Sequence, residues 1–458
     1  NSESHLPRFA NYGWPGALTD VKKSSPKARI NMPTLIIGGG WSGLAATVRL
    51  AEAGQKPILF EAAKQLGGRA RTVKWQDLEI DNGQHLMIGA YQNMLDLLQR
   101  VGIEENSVFQ RTALDLNILD SKYLPLHLSA HRLLPWQLAL LPRLYSSLGW
   151  QELRLFLRLA RQINVPSFTN NITVEQWCRQ TGQSARLITQ LWGPLCLAIL
   201  NTPIEQASAS VFAATLRDSL TTKRKSADLL IPKKPLGDVL PEPSRRFITE
   251  HGGEVRLQSR IEKIIIDAGK VAGVITGNKE YIAADNIIVA VSPGILYKLL
   301  GEQLNLPPVS EYPISTVYLQ YSPQFRLKEP IIGLSNTLPQ WVFDRSDQSP
   351  GLIAVVISGP GEHESLTKQQ LTEQVVLALT ELLPELPANY HTAHVIREKR
   401  ATFCCGVVEN NQRPSCKTTI GGLWIAGDYA ENPYPATLES AVMNGYRAAE
   451  KILAGKFS

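Results

Sequence analysis

The chain has 458 residues, of which 44% are hydrophobic, so that it can bury a large core and form two domains. Its 47 basic and 41 acidic residues give a net charge of +6 that is spread along the chain, without a tract typical of nucleic-acid binding. This composition excludes a disordered chain and a nucleic-acid partner, and no run of about 18 apolar residues predicts a membrane-spanning helix.

Residues 1–31 precede the first predicted element. They contain prolines and lysines but no apolar run of signal-peptide length, and Met32 stands directly before the first apolar run. We expect the folded domain to begin at Met32. Residues 1–31 are then either a natural extension or a segment added in cloning.

Residues 34–72 have the pattern of a strand-helix-strand unit that binds a dinucleotide. Gly38 permits a tight turn, Gly40 lets backbone N–H groups approach a pyrophosphate, and Gly43 lets the helix pack on the strand. The helix N-terminus, with Ser42 in its first turn, adds positive potential for phosphates. The pattern therefore predicts a Rossmann-like nucleotide site.

An acidic residue and a second glycine motif follow this unit. Glu61 ends the second apolar run, where an acid accepts hydrogen bonds from an adenosine ribose. The motif Gly67-Gly68-Arg69 comes shortly after it. This context favours a bound dinucleotide over a glycine-rich turn without a ligand.

The second motif and Gly-Leu-Trp-Ile-Ala-Gly-Asp at 422–428 resemble the FAD-dependent amine oxidase and phytoene desaturase superfamily. In that superfamily the Gly-Gly-Arg loop lies against the FAD diphosphate and ribityl chain, and the acid of the Gly-Asp pair faces the same region. The resemblance implies FAD as the cofactor. It also implies that the residues near the diphosphate include Gly67, Gly68, Arg69, Gly427 and Asp428.

The resemblance implies an α/β fold with a Rossmann-like FAD-binding domain of the amine oxidase/glutathione reductase type, discontinuous in sequence. We expect residues 32–91, 246–300 and 415–458 to form this domain. Residues 92–245, which are leucine-rich and helical in period, and 301–414 would form an α+β substrate domain of mixed helix and sheet.

The middle piece of the FAD-binding domain shows strand signals. Residues 255–267 alternate, residues 270–276 form a short apolar run, and a third run at 287–291 ends before a Ser-Pro pair. The superfamily pattern implies that the backbone at Ile261 contacts adenine. An apolar residue there is also what a buried strand needs.

Residues 132–163 have a marked composition, with many leucines, two tryptophans, five arginines and one acid. Arg154, Arg158 and Arg161 recur at helical spacing, opposite an apolar face. Such a helix can lie in a membrane interface, or it can pack inside its domain with the arginines in water. The first alternative predicts a cytoplasmic protein that is peripheral on the cytoplasmic membrane.

The strand that begins near Ser315 separates two branches of the superfamily. Amine-oxidising relatives carry a lysine near flavin N5 in this strand, and the corresponding residue here is Thr316. No lysine occurs between Glu311 and Arg326. Amine oxidation is therefore disfavoured.

Several passages resemble the hydroxysqualene dehydroxylases of hopanoid synthesis. They are Asp81–Gly89, Leu191–Leu195 with Asn201–Pro203, Arg397–Phe403 and Pro435–Glu439. In this superfamily the segment containing Gly83 and Gln84 runs along the flavin. The helix that begins near Ala436-Thr437-Leu438 points its N-terminus at the pyrimidine ring, where it stabilises negative charge on reduced flavin.

The resemblance implies reductive removal of the hydroxyl of hydroxysqualene by hydride from reduced FAD. Such a long-chain isoprenoid substrate predicts an apolar tunnel with one proton donor, for which His85 is our candidate because histidine titrates near neutral pH. A structural, hydrogen-bonding His85 is the alternative. Two other functions stay open, a carotenoid (phytoene-type) desaturase and a non-catalytic prenyl-escort-like binding protein, although the intact FAD motifs disfavour the latter.

The five cysteines are odd in number and lack a Cys-x-x-Cys spacing, which predicts reduced thiols in a reducing compartment. Cys404-Cys405 lies where some relatives attach flavin covalently, but the surrounding residues do not match, and buried cysteines often act as small apolar fillers. We therefore expect non-covalent FAD, and we predict no metal site.

Overall fold

The computed structural model describes residues 32–130, 133–134, 136–165, 170–220, 222–387 and 389–455. The predicted extension 1–31 lies outside them. The chain from Pro33 onwards forms one compact unit.

The helices are α1 (Trp41–Glu52), α2 (Gln92–Arg100), α3 (Glu105–Val108), α4 (Leu141–Ala160), α5 (Val174–Gln180), α6 (Ala185–Leu187), α7 (Gly193–Leu200), α8 (Ala209–Leu220), α9 (Leu236–Val239), α10 (Pro241–Glu250), α11 (Pro293–Leu304), α12 (Lys368–Leu382), α13 (Val407–Asn411) and α14 (Leu438–Ala454). The strands are β1 (Thr34–Ile37), β2 (Ile58–Phe60), β3 (Thr72–Trp75), β4 (Leu78–Asp81), β5 (Met87–Ile88), β6 (Phe109–Thr112), β7 (Asp115–Asp120), β8 (Leu126–Ser129), β9 (Leu229–Pro232), β10 (Glu254–Arg256), β11 (Ile261–Asp267), β12 (Lys270–Thr276), β13 (Tyr281–Ala283), β14 (Asn286–Val289), β15 (Glu311–Gln320), β16 (Ile331–Ser335), β17 (Trp341–Asp344), β18 (Leu352–Ser358), β19 (Thr392–Phe403) and β20 (Leu423–Ile425).

A five-stranded parallel sheet has the order β10-β2-β1-β14-β20. β1 pairs in parallel with β2 on one side and β14 on the other, and α1 follows β1 as the glycine motif predicts. All strands of a parallel sheet end at one edge, so the turns after β1, β2, β14 and β20 meet there. The strands come from three separated parts of the chain. The boundaries proposed above for the FAD-binding and substrate domains remain a prediction.

A second sheet has seven strands in the order β19-β15-β18-β17-β16-β7-β8. Its pairs are antiparallel except for β16 with β7, which are parallel. Every residue of β18 is buried, as expected for an apolar strand covered on both faces. Thr316 and Tyr318, which belong to β15 of this sheet, are both buried.

Some strand predictions need correction. The alternating run 255–267 is two strands, β10 and β11, which pair with different sheets and are separated by a turn with Gln258 at φ +52°. The region 92–245, which is predicted to be helical, also contains β6 to β9. These are short strands that pair mainly with distant residues, such as β7 with β16, so that no local period reveals them.

The helix predicted from Arg154, Arg158 and Arg161 is the second half of α4, after a kink at Gly149 with φ +74°. The three arginines are exposed, whereas Leu153 and Leu159 are buried. The apolar face of this half-helix therefore packs inside the protein, and it is not the face that a membrane could contact. Across the described residues, we find no helix with the length and apolarity needed to span a bilayer.

Candidate functional site

A cavity of about 620 Å³ opens at the carboxyl edge of the parallel sheet. Its wall includes the turns that follow β1, β2, β14 and β20. All of the predicted site residues line it except Gly43 and Gly83. The motifs at both ends of the chain thus converge on one space, while their contacts with FAD stay a prediction.

The glycine turn shows why two of its positions exclude a side chain. Gly38 has φ +108°, and a Cβ atom there would lie 2.5 Å from Ala290 O. A Cβ atom on Gly43 would lie 1.9 Å from Gly38 O, so that α1 can begin this close to the turn only with glycine. Gly43 therefore acts through helix packing, which explains why it does not line the cavity.

The nucleotide end of the cavity carries donors for a diphosphate. The N-cap of α1 is Gly40, which offers no side-chain acceptor to the first N–H groups of the helix. Ser42 Oγ is buried on the cavity wall without a hydrogen-bond partner. A diphosphate would satisfy both, so these residues fit the predicted FAD.

Glu61 lies at the end of β2 on the cavity wall. Its Oε2 accepts the N–H of Gly39 at 2.7 Å, and its Oε1 accepts the N–H of Ala63 at 2.8 Å. A carboxylate has about four acceptor positions, so both oxygens can still accept hydroxyl groups of a ribose. The position agrees with the predicted ribose contact.

Arg69 and Asp428 form an ion pair that sequence reasoning did not anticipate. Arg69 Nη2 donates to both carboxylate oxygens of Asp428, at 2.7 and 2.8 Å, and its Nη1 donates to Ala401 O. Burial opposes the charged guanidinium, but the charge and hydrogen bonds of Asp428, together with the charges of Glu311 and Glu398, raise the pKa of Arg69. Because Asp428 offsets this charge, phosphate recognition would depend mainly on α1 and the backbone N–H groups.

Arg413 holds the loop that carries Asp428, and no motif singles it out. Its five N–H groups donate to five backbone oxygens, those of Asp428, Tyr429, Ala430, Asn432 and Tyr434, at 2.7 to 3.2 Å. Its guanidinium also lies over the ring of Phe403. One partly buried cation thus fixes the course of residues 428–434.

His85 lines the cavity, and its Nδ1 lies 3.2 Å from Gly83 O. Because a carbonyl only accepts, Nδ1 carries the hydrogen and Nε2 keeps a lone pair. Burial, aided by the charge of Arg69, lowers the pKa of His85 to about 4 against the effect of the Gly83 contact. The expectation that His85 titrates near neutral pH is therefore wrong, while its role as proton donor stays a prediction.

A buried polar network lies behind the segment 83–86. Gln84 Nε2 donates to Tyr318 Oη at 2.7 Å, and Tyr318 donates to the backbone oxygen of Asp81 at 2.8 Å. Burial raises the pKa of Asp81 to about 6, although the Leu236 N–H and the charge of Arg345 favour its ionised form. This network fixes the segment that is predicted to run along the flavin.

Thr316 is the residue predicted to stand where amine-oxidising relatives carry lysine. It is buried in β15, and a Cβ atom built on Gly83 would lie 3.9 Å from its Oγ1. The residue therefore faces the predicted flavin segment. Threonine has an uncharged hydroxyl, so it does not provide the amino group of the lysine in the amine oxidases.

The remainder of the cavity wall is apolar. It is built by strands of the large sheet and by helices α7, α8 and α11. Its apolar side chains include Leu114, Leu116, Leu128, Leu195, Ile199, Leu216, Leu229, Trp341 and Phe343. We refer to this part as the apolar arm, and it has the chemistry expected for a hydrocarbon chain.

Comparison with known proteins gives concordant matches. The sequence profile of the family "Flavin containing amine oxidoreductase" matches residues 41–453. A hydroxysqualene dehydroxylase from Zymomonas mobilis is 27% identical over 92% of this chain and 99% of its own length. A 15-cis-phytoene desaturase from Narcissus pseudonarcissus is 24% identical over 94% of this chain and 81% of its own. The structure of an oxidoreductase from Methanosarcina mazei superposes with a TM-score of 0.72 at 15% identity, covering 92% of this chain and 100% of that one.

Proposed function

The chain belongs to the flavin containing amine oxidoreductase family, and from this premise we propose that it binds FAD and reductively removes the hydroxyl group of hydroxysqualene. It is a flavin-dependent oxidoreductase, and its relatives include hydroxysqualene dehydroxylases. One observation carries the proposal: a single cavity joins the glycine turn and Gly-Gly-Arg motif to the apolar arm. The pathway served would be hopanoid or other isoprenoid synthesis.

The two ends of the cavity have different roles in the proposed reaction. Reduced FAD, when bound, supplies the hydride. The apolar arm holds the isoprenoid chain and excludes water, and Gln84, fixed by Tyr318, orients the segment beside the predicted flavin site. Thr437 caps α14, whose N-terminus would stabilise negative charge at that site. His85 is the candidate proton donor to the departing oxygen.

The experiment is anaerobic addition of hydroxysqualene to chemically reduced protein. We expect the flavin to reoxidise and squalene to form in proportion, because hydride transfer and loss of the hydroxyl occur together. Trp341→Arg, which places a charge in the apolar arm, should abolish the reaction, whereas the exposed Tyr281→Arg on β13 serves as the control.

A phytoene-type desaturase is the second candidate, favoured by the phytoene desaturases among the relatives and by the same apolar arm. A desaturase would oxidise its substrate and reduce FAD, which is the opposite of the proposed dehydroxylation. Bleaching of the oxidised protein by phytoene, together with no reaction of the reduced protein with hydroxysqualene, would establish the desaturase instead.

We propose further that an anionic membrane surface delivers the isoprenoid. Large apolar side chains are exposed around the first half of α4, including Leu133 at 89% and Trp150 at 61% exposure. Arg186 donates to both Leu124 O and Ser147 O, which holds the exposed Leu124 beside α4. Arg154 and Arg158 of α4 and Arg161 at its end are also exposed, so that apolar insertion and attraction to acidic lipids would act together.

A further inference from the structure

We propose that a small pocket beside the predicted flavin site, lined by hydroxyl groups, carries a proton from bulk solvent by way of Asp218 to the donor of the departing oxygen, and receives the water that forms. This inference rests on the proposed dehydroxylation. It assigns a role to Asp218 and Ser219 at the end of α8 and to Tyr434 in the loop before α14, which no motif singled out.

The pocket is a cavity of about 20 Å³, which is room for one water molecule. It shares the walls formed by Tyr91, Ser219 and Thr437 with the large cavity. The Ser219 hydroxyl donates to Thr215 O at 2.6 Å, so its oxygen remains free to accept from a water. The pocket therefore offers hydroxyl groups at the point where α14 begins.

Asp218 forms the outer wall of this pocket. Its side chain is 30% exposed, and its Oδ2 accepts the hydroxyl of Tyr434 at 2.6 Å. Burial and the charge of Asp218 raise the pKa of Tyr434, so that this phenol stays protonated. Asp218 thus contacts solvent, the partly buried hydroxyl of Tyr434 and, through its Oδ1, the Nε–H of Arg217 at 3.3 Å.

Glu439 is the other acid that borders the pocket. Its Oε1 accepts the backbone and side-chain N–H groups of Asn93, and its Oε2 accepts the N–H of Met94. The carboxylate is buried, and its contacts hold α2 against α14. Of the two acids that border the pocket, Asp218 is therefore the one that solvent reaches.

The proposed reaction needs such a pocket. The carbon–oxygen bond breaks with its electron pair on oxygen, the oxygen takes up one proton and leaves as water, and the hydride from reduced flavin forms the new carbon–hydrogen bond. Water released among apolar walls loses its hydrogen bonds, which is costly. A pocket of one-water size that is lined by hydroxyl groups and borders the same cavity would lower this cost and join the water to solvent.

The test compares Asp218→Asn and the conservative Asp218→Glu with Asp267→Asn, an exposed acid at the end of β11. Each FAD-loaded protein is reduced and mixed with hydroxysqualene in H₂O and in D₂O. We expect Asp218→Asn to slow flavin reoxidation at least about tenfold with a larger solvent isotope effect, and Asp218→Glu to restore most of the rate. A crystal structure of the wild-type holoenzyme should show an ordered water in the pocket.

Equal rates and isotope effects for Asp218→Asn and Asp267→Asn, or a dry pocket in the crystal, would overturn the proton and water route while leaving the dehydroxylation intact. If the wild-type protein makes no squalene, the proposed function fails and the route fails with it. Tyr434→Phe gives a second check without a change of charge, because it removes the hydroxyl that contacts Asp218. We expect it to share the isotope effect of Asp218→Asn.

Discussion

Glu61 stabilises both its own turn and, in our proposal, the cofactor. Replacing it by alanine removes the acceptor for Gly39 N–H and for the ribose hydroxyls. A hydrogen bond to a charged group contributes about 1.5 to 3 kcal/mol, so Glu61→Ala should weaken FAD binding by about 10- to 100-fold. Fluorescence titration of the apoprotein with FAD measures this, with the exposed Glu381→Ala on α12 as control. Equal affinities would remove Glu61 from the nucleotide site.

The low pKa of His85 leads to a prediction on pH. With its pKa near 4, the imidazolium fraction at pH 7 is only about one in a thousand and rises about tenfold for each pH unit down to pH 5. If the imidazolium is the acid, flavin reoxidation should accelerate with the same slope as the pH falls.

His85→Ala should slow the reaction about 10²-fold at pH 6 and remove that slope. A His85→Ala protein with the wild-type rate and pH profile would assign His85 a structural role through its contact with Gly83.

At the scale of single elements, α4 carries the membrane prediction. Each arginine near an anionic surface contributes about 1 kcal/mol, which salt screens. The triple variant of Arg154, Arg158 and Arg161 to Gln should therefore bind anionic liposomes more weakly, and wild-type binding should fall as salt rises.

Two matched leucine variants separate apolar insertion from charge attraction. Leu133→Ser should reduce liposome binding, whereas Leu377→Ser on α12, whose leucine is 72% exposed, should not. Equal partitioning of wild type and all these variants would leave α4 as a packing helix only. Liposome flotation measures every comparison.

The elements also show what the sequence could predict. The unit β1-α1-β2 was predictable because glycine spacing and apolar runs are local signals, and the start of α14 near Thr437 was implied by the superfamily resemblance. The strands β6, β7 and β9 were not, because they pair with distant partners, and β8 pairs only with β7. The same holds for the site: the glycines and Glu61 follow from motifs, but the pairing of Arg69 with Asp428 depends on the tertiary fold.

For the molecule as a whole, FAD should act as a stabilising ligand that connects distant parts of the chain. The cavity wall draws on residues near both ends of the compact unit, so FAD would bind the native state and not the unfolded chain. At 100 times its dissociation constant, such a ligand adds about 2.7 kcal/mol to the free energy of unfolding. A thermal unfolding series with increasing FAD should show a rising midpoint.

The purified protein with FAD also allows a test of whether the flavin is bound covalently. Cys405 is buried, its pKa is raised to about 12 by burial, and neither it nor Cys404 lines the cavity. Acid precipitation should therefore leave all of the flavin in the supernatant as intact FAD. Flavin that stays with the pellet would contradict non-covalent binding.

The hydrogen bonds of Arg413 have a consequence for the thermodynamics of cofactor capture. Since the guanidinium already fixes residues 428–434 through their own carbonyl groups, the loop is ordered by folding and not by the arriving ligand. The conformational entropy of that segment is then absent from the association step, and the site is preorganised. Lysine, with three donors and no planar fork, could not reproduce this arrangement. With lysine at position 413, the loop would become ordered only when the cofactor binds, and each binding event would include that loss of conformational entropy.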